Sequence, residues 1–326
     1  MTSFVLCTRD KDNQADTFGI DSGPVTWLAV PEGESLPRPS HKVTLSQWIE
    51  GVMQQAIPAT VVPGEELDIV FFVHGYNTDP GEALKRQRLA ERELRARGVQ
   101  CLLVGFDWPT AGNPGAYLYD RAEAQQAAVC LIRGGIVPFA KYSAEKCPIN
   151  VHVMAHSMGA FVVREAFRGV DKGRDADLAN DWRVGQVVLF AGDLSSACFD
   201  KDSPEMLPVF NHCGRLTNYF SGYDEALAVS NVKNIDISSR VGRVGMPTDN
   251  PGNAKALDVD CGPRYMKIKD RELNEIEGMV SHSWYLEDEV WYDDLAYTLA
   301  GKMDRYAIPT RTKAGENDFV LKTNRA

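Results

Sequence analysis

The stretch that decides the fold is Val151-His-Val-Met-Ala-His-Ser-Met-Gly159, followed by Ala160-Phe-Val-Val-Arg-Glu-Ala-Phe167. The alternating apolar residues predict a strand, and the run after Gly159 is compatible with a helix. Between them lies Ser157, with the small residues Ala155 and Gly159 two positions to either side. A sharp strand-to-helix turn strains the backbone at its apex, so its flanking positions must be small for strand and helix to approach. A serine at such an apex is presented for attack, as in a nucleophile elbow. The small-x-Ser-x-Gly pattern alone is weak. Its strand-turn-helix context makes Ser157 the candidate nucleophile, set against an ordinary turn with a buried serine.

Working outward, Glu66-Leu-Asp-Ile-Val-Phe-Phe-Val73 is a nearly continuous apolar run ending in His74-Gly-Tyr-Asn77. Such a run predicts a strand covered on both faces, hence a parallel sheet. Further strands are expected at Phe4–Thr8, Val99–Asp107, Gln186–Asp193 and Arg215–Asp224, with a weak one at Asn234–Ile237 and a better one at Ala256–Val259. Helices are expected at Thr44–Gln55, opened by the capping-box-like Thr44-Leu-Ser-Gln47, and at Gly81–Gly98. The second is rich in Lys and Arg, but Glu82, Glu91 and Glu93 interleave, so it reads as a solvated amphipathic helix rather than a nucleic-acid surface. Two more follow, at Tyr117 to about Arg133, with Asp120 near its start in a structural role, and at Ser283–Lys302, with Trp284, Trp291 and Leu299. The polar, Gly- and Pro-containing stretch to about Pro39 has no assigned element. Strands alternating with helices predict one doubly wound, mainly parallel α/β domain over residues 1–310, with 311–326 as a loose tail. Ligands of such a sheet bind beyond the carboxyl ends of its strands.

Composition narrows the function classes. With 326 residues, 44% of them hydrophobic and 25% charged, the chain has material for a sizeable core and no bias to disorder. A formal charge of −10 argues against binding a phosphate backbone and suits a small neutral ligand, such as an ester or lipid-like molecule. No basic n-region with a long apolar run opens the sequence, and no stretch is long enough to span a bilayer. The seven cysteines include no Cys-x-x-Cys pair and read as core fillers, which fits a reducing cytoplasm. No Cys and His cluster at zinc-ligand spacing occurs, so neither a metal nor an organic cofactor is expected. Val241-Gly-Arg-Val-Gly245 matches neither dinucleotide nor phosphate-loop spacing.

A serine hydroxyl needs a base to take its proton, usually histidine. On an elbow of this type the chain order is Ser, then acid, then His. His41, His74, His152 and His156 precede Ser157, leaving His212 and His282. His212 comes just before a strand, at the wrong end of the sheet, so His282, after the last strand, is the expected base. Asp193 and Asp224 both end buried strands and both remain candidates for the acid that orients the imidazole. Asp224, on the strand two beyond the elbow, is preferred because that position is the commoner one. Oxyanion donors are expected from the backbone N–H groups of Met158 and Tyr76. Tyr76, Asn77 and His156 are candidate substrate contacts, while His74 reads as structural support.

Together these residues resemble the α/β-hydrolases, and more narrowly an uncharacterised bacterial family among them. The likeness rests on Phe72-Val-His-Gly-Tyr-Asn77, Asp107-Trp-Pro109, Tyr117-Leu-Tyr-Asp-Arg121, Ala155-His-Ser-Met-Gly159, Ala191-Gly-Asp193, Ser221–Ser230 and Ser281-His-Ser-Trp-Tyr285. It runs in order from about Phe4 to Tyr285, departing at Ala155 and at Gly192, where the family tends to have Pro. The resemblance implies Ser157 as nucleophile, Asp224 as acid and His282 as base of an esterase- or lipase-like hydrolase. A thioesterase or phospholipase would use the same groups, and a binding module with little turnover is the alternative of another class. Residues 195–214 and 231–278 are candidate cap or lid segments, with Met206, Leu207, Val209 and Phe210 either lining an acyl pocket or simply packing a helix on the sheet.

Overall fold

The computed structural model describes residues 1–56, 67–110, 117–139, 149–171, 182–228, 239–247 and 254–325. The strands are β1 (Ser3–Asp12), β2 (Thr17–Val30), β3 (Lys42–Val43), β4 (Leu67–Val73), β5 (Cys101–Asp107), β6 (Ile149–His156), β7 (Val184–Phe190), β8 (Cys213–Phe220), β9 (Ala256–Asp260), β10 (Arg311–Lys313) and β11 (Asp318–Leu321). They form one sheet in the order β10-β11-β9-β8-β7-β6-β4-β5-β1-β2-β3. From β1 through β5, β4, β6, β7, β8 and β9 to β11 every pairing is parallel, and the outer pairs β1/β2, β2/β3 and β10/β11 are antiparallel.

The helices are α1 (Leu45–Ala56), α2 (Pro80–Ala96), α3 (Tyr117–Leu131), α4 (Gly159–Asp171), α5 (Leu207–His212), α6 (Val241–Val244), α7 (Gly262–Ile268), α8 (Val280–Ser283) and α9 (Glu289–Ala300). They cover both faces. Ile69, Phe71 and Val73 of β4 pack on one side with Trp48 of α1, Ala124 of α3 and Phe167 of α4. Val70 and Phe72 point the other way, to Leu89 and Leu94 of α2 and Trp291 of α9. That division explains the unbroken apolar run of β4: both faces are interior.

Several expectations change. The polar stretch before Pro39 contains β2, a fourteen-residue strand. Its first eight residues include Gly19, Asp21, Ser22, Gly23 and Pro24, which read as turn residues. Register shifts at Cys7/Arg9 and Arg9/Lys11 accommodate them, and Gly23 approaches the backbone so closely that a Cβ would lie 2.5 Å from the Arg9 carbonyl oxygen. The expected tail contributes β10 and β11, with Phe319 and Leu321 buried. Arg311 anchors this hairpin on buried Asp294, with Nε 2.9 Å from Oδ2, while Tyr219 donates its hydroxyl to Oδ1 at 2.7 Å. The expected closing helix is instead α8, a tight turn over Trp284–Glu287, and α9, whose N-cap Asp288 accepts from the Trp291 N–H. The weak strand at Asn234–Ile237 lies outside the described residues.

Of the candidate cap segments, 195–214 carries α5, whose Val209 and Phe210, with Met206, are buried in the core beside α4. They pack a helix on the sheet and line no part of the cavity described below. Residues 254–278 add β9 and α7, and 231–238 and 248–253 lie outside the described residues.

Candidate active site

The site is built at the carboxyl ends of β4, β6, β7 and β8. Ser157 follows β6 directly, with φ +53°, in the left-handed region that costs a non-glycine residue energy. Three backbone bonds hold it there: its N–H donates to the Phe190 carbonyl at 3.2 Å, and its own carbonyl accepts from Ala160 at 3.0 Å and Asp193 at 2.9 Å. A Cβ on Gly159 would lie 2.5 Å from the Val73 carbonyl oxygen, so α4 crosses β4 at glycine distance. Ala155 is fully buried between its neighbour strands, where its methyl group is tolerated.

The loop after β4 runs over the elbow. A Cβ on Gly75 would meet the Ser157 Cβ at 2.9 Å, and Asn77 adopts φ +55°, which asparagine tolerates. His74 supports this loop from below. Its Nδ1 lies 2.8 Å from the Gly75 carbonyl, its Nε2 3.1 Å from Asp107, and its ring stacks on Trp108. Burial lowers the His74 pKa despite Asp107. Burial would raise Asp107, but Arg9 and His74 more than offset it, leaving the carboxyl below its ordinary value. Arg9, itself buried, donates from Nε to Asp107 at 2.7 Å and from Nη2 to the Thr78 carbonyl at 2.9 Å. Nothing local in the sequence marks Arg9, because its partners Asp107 and Thr78 lie 98 and 69 residues along the chain, although β5, which carries Asp107, pairs directly with β1 in the sheet.

Asp224 is fully buried after β8, and its Oδ2 lies 2.7 Å from His282 Nδ1. Its Oδ1 accepts the Leu227 N–H at 2.9 Å, so both oxygens are engaged. With Nδ1 directed to the carboxylate, Nε2 is the ring nitrogen turned away from it. Asp193 takes a different partner. Its Oδ1 pairs with Arg240 Nε at 3.1 Å, both side chains buried, and its N–H serves the elbow. The segment that carries Arg240 also explains Val241–Gly245: a Cβ on Gly242 would fall 2.2 Å from the Gly192 nitrogen, so these glycines serve close backbone approach.

Ser157, His282, Tyr76, Asn77, His156 and Asp193 line one cavity of about 350 Å³, with Leu227 and Met279 as apolar wall. Met158, after Ser157, is buried behind the elbow. His156 donates from Nε2 to the His282 carbonyl at 3.1 Å, with ring centroids 4.7 Å apart. Burial, with His282 and Arg86 nearby, holds His156 well below its ordinary pKa and hence neutral. His212 sits elsewhere, stacked on Trp182 with Nδ1 on the Trp182 carbonyl. The reading of α2 as a solvated helix misses Arg86 and Gln87, which are buried; Arg86 also lines the cavity, beside Glu82 and Glu277. The only sequence signal for this wall is the four-residue spacing of Glu82 and Arg86.

No curated protein matches the sequence. Among solved structures, the chain is similar to Trichoderma reesei cutinase in complex with a phosphonate inhibitor, at 13% identity and TM-score 0.33, over 72% of this chain and 74% of that one. It is also similar to a cutinase-like protein from Cryptococcus sp., at 13% identity and TM-score 0.34, over 72% and 92%. A thermophilic carboxylesterase cloned from a metagenomic library is similar at 13% identity and TM-score 0.35, over 76% and 81%. Residues 50–291, well over half the chain, match the family described as alpha/beta hydrolase of unknown function (DUF900), and the chain belongs to that family.

Proposed function

We propose that this protein is a serine hydrolase that cleaves a carboxylic ester through an acyl-enzyme. The observation that carries the reading is the 2.7 Å contact of His282 Nδ1 with buried Asp224, behind a cavity that His282 shares with Ser157. In this mechanism Ser157 Oγ attacks the ester carbonyl carbon while His282 Nε2 takes its proton. The carbonyl electron pair moves onto oxygen, and the backbone N–H groups of Met158 and Tyr76 stabilise that oxyanion. Collapse expels the alcohol, which receives the proton from His282. Water then attacks the acyl-enzyme by the same steps, releasing the acid and restoring Ser157. Asp224 holds the imidazole tautomer and stabilises its transient charge.

The cavity supports a compact substrate. At about 350 Å³, with Asp79, Glu82, Arg86 and Glu277 in its wall, it suits a short acyl group better than a long chain. Labelling with a fluorophosphonate probe tests the reading, with p-nitrophenyl esters from acetate to laurate as substrates. Wild type labels and prefers the shorter esters, and Ser157→Ala does not label. Folded wild type that fails to label would refute the proposal.

A further inference from the structure

We infer that Glu82 and Arg86 of α2 form a positioning clamp for the proposed base His282, acting through the backbone of Glu277; this deepens the hydrolase reading and rests on it. The two side chains pair at 2.8 Å one turn apart, and each is more than nine-tenths buried. An exposed pair at this spacing contributes little, and burying both charges has a desolvation cost that further hydrogen bonds must offset. Those bonds go to one residue. Glu82 Oε1 accepts the Glu277 N–H at 2.9 Å, and Arg86 Nη2 donates to the Glu277 carbonyl. Both polar groups of a residue far along the chain are thereby held by one ion pair.

Glu277 belongs to a strap, residues 272–279, that leads into α8. The Glu287 carboxylate accepts the N–H groups of Asn274, Glu275 and Ile276 at 2.8–3.0 Å, and Arg92 holds the Glu275 carboxylate at 2.7 Å. Beyond the clamp the chain turns at Gly278, with φ +141°, where a Cβ would lie 2.5 Å from Ser283 Oγ. The Met279 carbonyl then accepts the His282 N–H at 3.0 Å. So little slack separates Glu277 from His282 that a shift at one passes to the other. The same helix also fixes the other side of the cavity, because its N-cap Asp79, which accepts the Glu82 N–H at 2.9 Å, comes two residues after Asn77. One rigid helix thus sets the distance between the oxyanion loop and the base.

A helix-stabilising salt bridge would look the same from outside, and a charge swap separates the two. Glu82→Arg combined with Arg86→Glu keeps the ion pair but turns a donor toward the Glu277 N–H and an acceptor toward its carbonyl. We measure the fluorophosphonate labelling rate, kcat and KM for p-nitrophenyl acetate, and hydrogen exchange at the Glu277 amide. Misplacing the base predicts labelling and kcat reduced about 10- to 100-fold in the swap and in Arg86→Met, with KM within about twofold and faster exchange at Glu277. Glu82→Gln, which keeps an acceptor for the Glu277 N–H, falls between these and wild type. Should the swap fail to fold, Arg86→Lys decides: it keeps the charge but lacks the second edge for the Glu277 carbonyl, and is expected to label slowly. A swap or Arg86→Lys protein that labels at the wild-type rate overturns the clamp while leaving the hydrolase reading intact. Folded wild type that does not label overturns both.

Discussion

Ser157 and Gly75 lie at the ends of β6 and β4, paired neighbours in the middle of the sheet, and backbone bonds alone fix the elbow. Asp224 and His282 are carried by a loop and a four-residue helix, held by side chains that reach across the chain: Arg243 to the Asp224 carbonyl, His156 to the His282 carbonyl, and Glu82 and Arg86 to the strap. The side of the proposed nucleophile is a product of sheet geometry, the side of the proposed acid and base a product of tertiary tethers. A group on a strand end inherits the rigidity of the ladder, whereas a group on a loop needs its supporting bonds one by one.

If the two sides act as one unit, Ser157→Ala and His282→Ala each lower kcat by about six orders of magnitude, and the double variant is no worse than either. Steady-state kinetics on a short p-nitrophenyl ester checks this. Additive losses would mean that His282 works apart from Ser157.

The same division decided what was legible in the sequence. The elbow is local: an apolar run, two small residues and a helix-compatible segment within seventeen positions. The doubly wound sheet was legible for the same reason, since each central strand is a separate apolar run. The pairing of His282 with Asp224 was reached only by elimination for the one and by preference over Asp193 for the other, because strand ends with carboxylates look alike until their partners are known. Arg240 beside Asp193 supplies the distinction, and nothing in the sequence around either residue announces that pairing. The strap, Arg9 and the β10–β11 hairpin were illegible because each depends on a contact between segments remote in the chain. β2 was hidden by turn-forming residues that a bulged, nearly outermost strand accommodates.

The choice between the acids gives the next largest effect. Asp224→Asn is expected to lower kcat about 10⁴-fold by admitting the wrong imidazole tautomer, with little change in KM. Asp193→Asn should cost less than about tenfold, through the elbow and Arg240. Equal losses would erase the distinction drawn from their partners.

Two buried arginine–carboxylate pairs then test whether support is confined to one side. Arg9–Asp107 braces the loop after β4, the proposed source of an oxyanion donor, and Arg311–Asp294 fastens the last hairpin. Replacing either arginine by methionine leaves a buried carboxylate without its guanidinium and should cost about 3–5 kcal/mol in denaturant unfolding. Only Arg9→Met takes a donor from the Thr78 carbonyl, leaving it the Thr110 hydroxyl at 2.8 Å, so it alone should also lower kcat of the folded protein, by roughly tenfold. A comparable kcat loss in Arg311→Met would show that the hairpin, too, bears on the site.

The smallest effect concerns pH, and it separates the sides by their props. Behind the elbow, His74 and Asp107 both have pKa values moved down, so the carboxyl is ionised and the imidazole neutral at pH 7. On the acid side, Asp258 of β9 accepts from Asn218 Nδ2 at 2.7 Å and from the Met246 N–H, and so steadies the segment whose Arg243 holds the Asp224 carbonyl. Burial, with Asp318 and Asp260 adding to it, pushes this carboxyl up to about 7 from an ordinary 3.8. Between those values the folded chain keeps a proton that the unfolded chain has released. Its contribution to stability is therefore full below about pH 4, declines as pH rises toward 7, and is lost above it, a total change on the order of 4 kcal/mol. Unfolding free energies measured from pH 5 to pH 8 should fall more in wild type than in Asp258→Asn, which cannot titrate. The variant starts lower at pH 5, since its amide NH₂ replaces one of two acceptors, and the curves converge toward pH 8. Parallel curves would remove Asp258 as the titrating prop and leave the two sides alike in their response to pH.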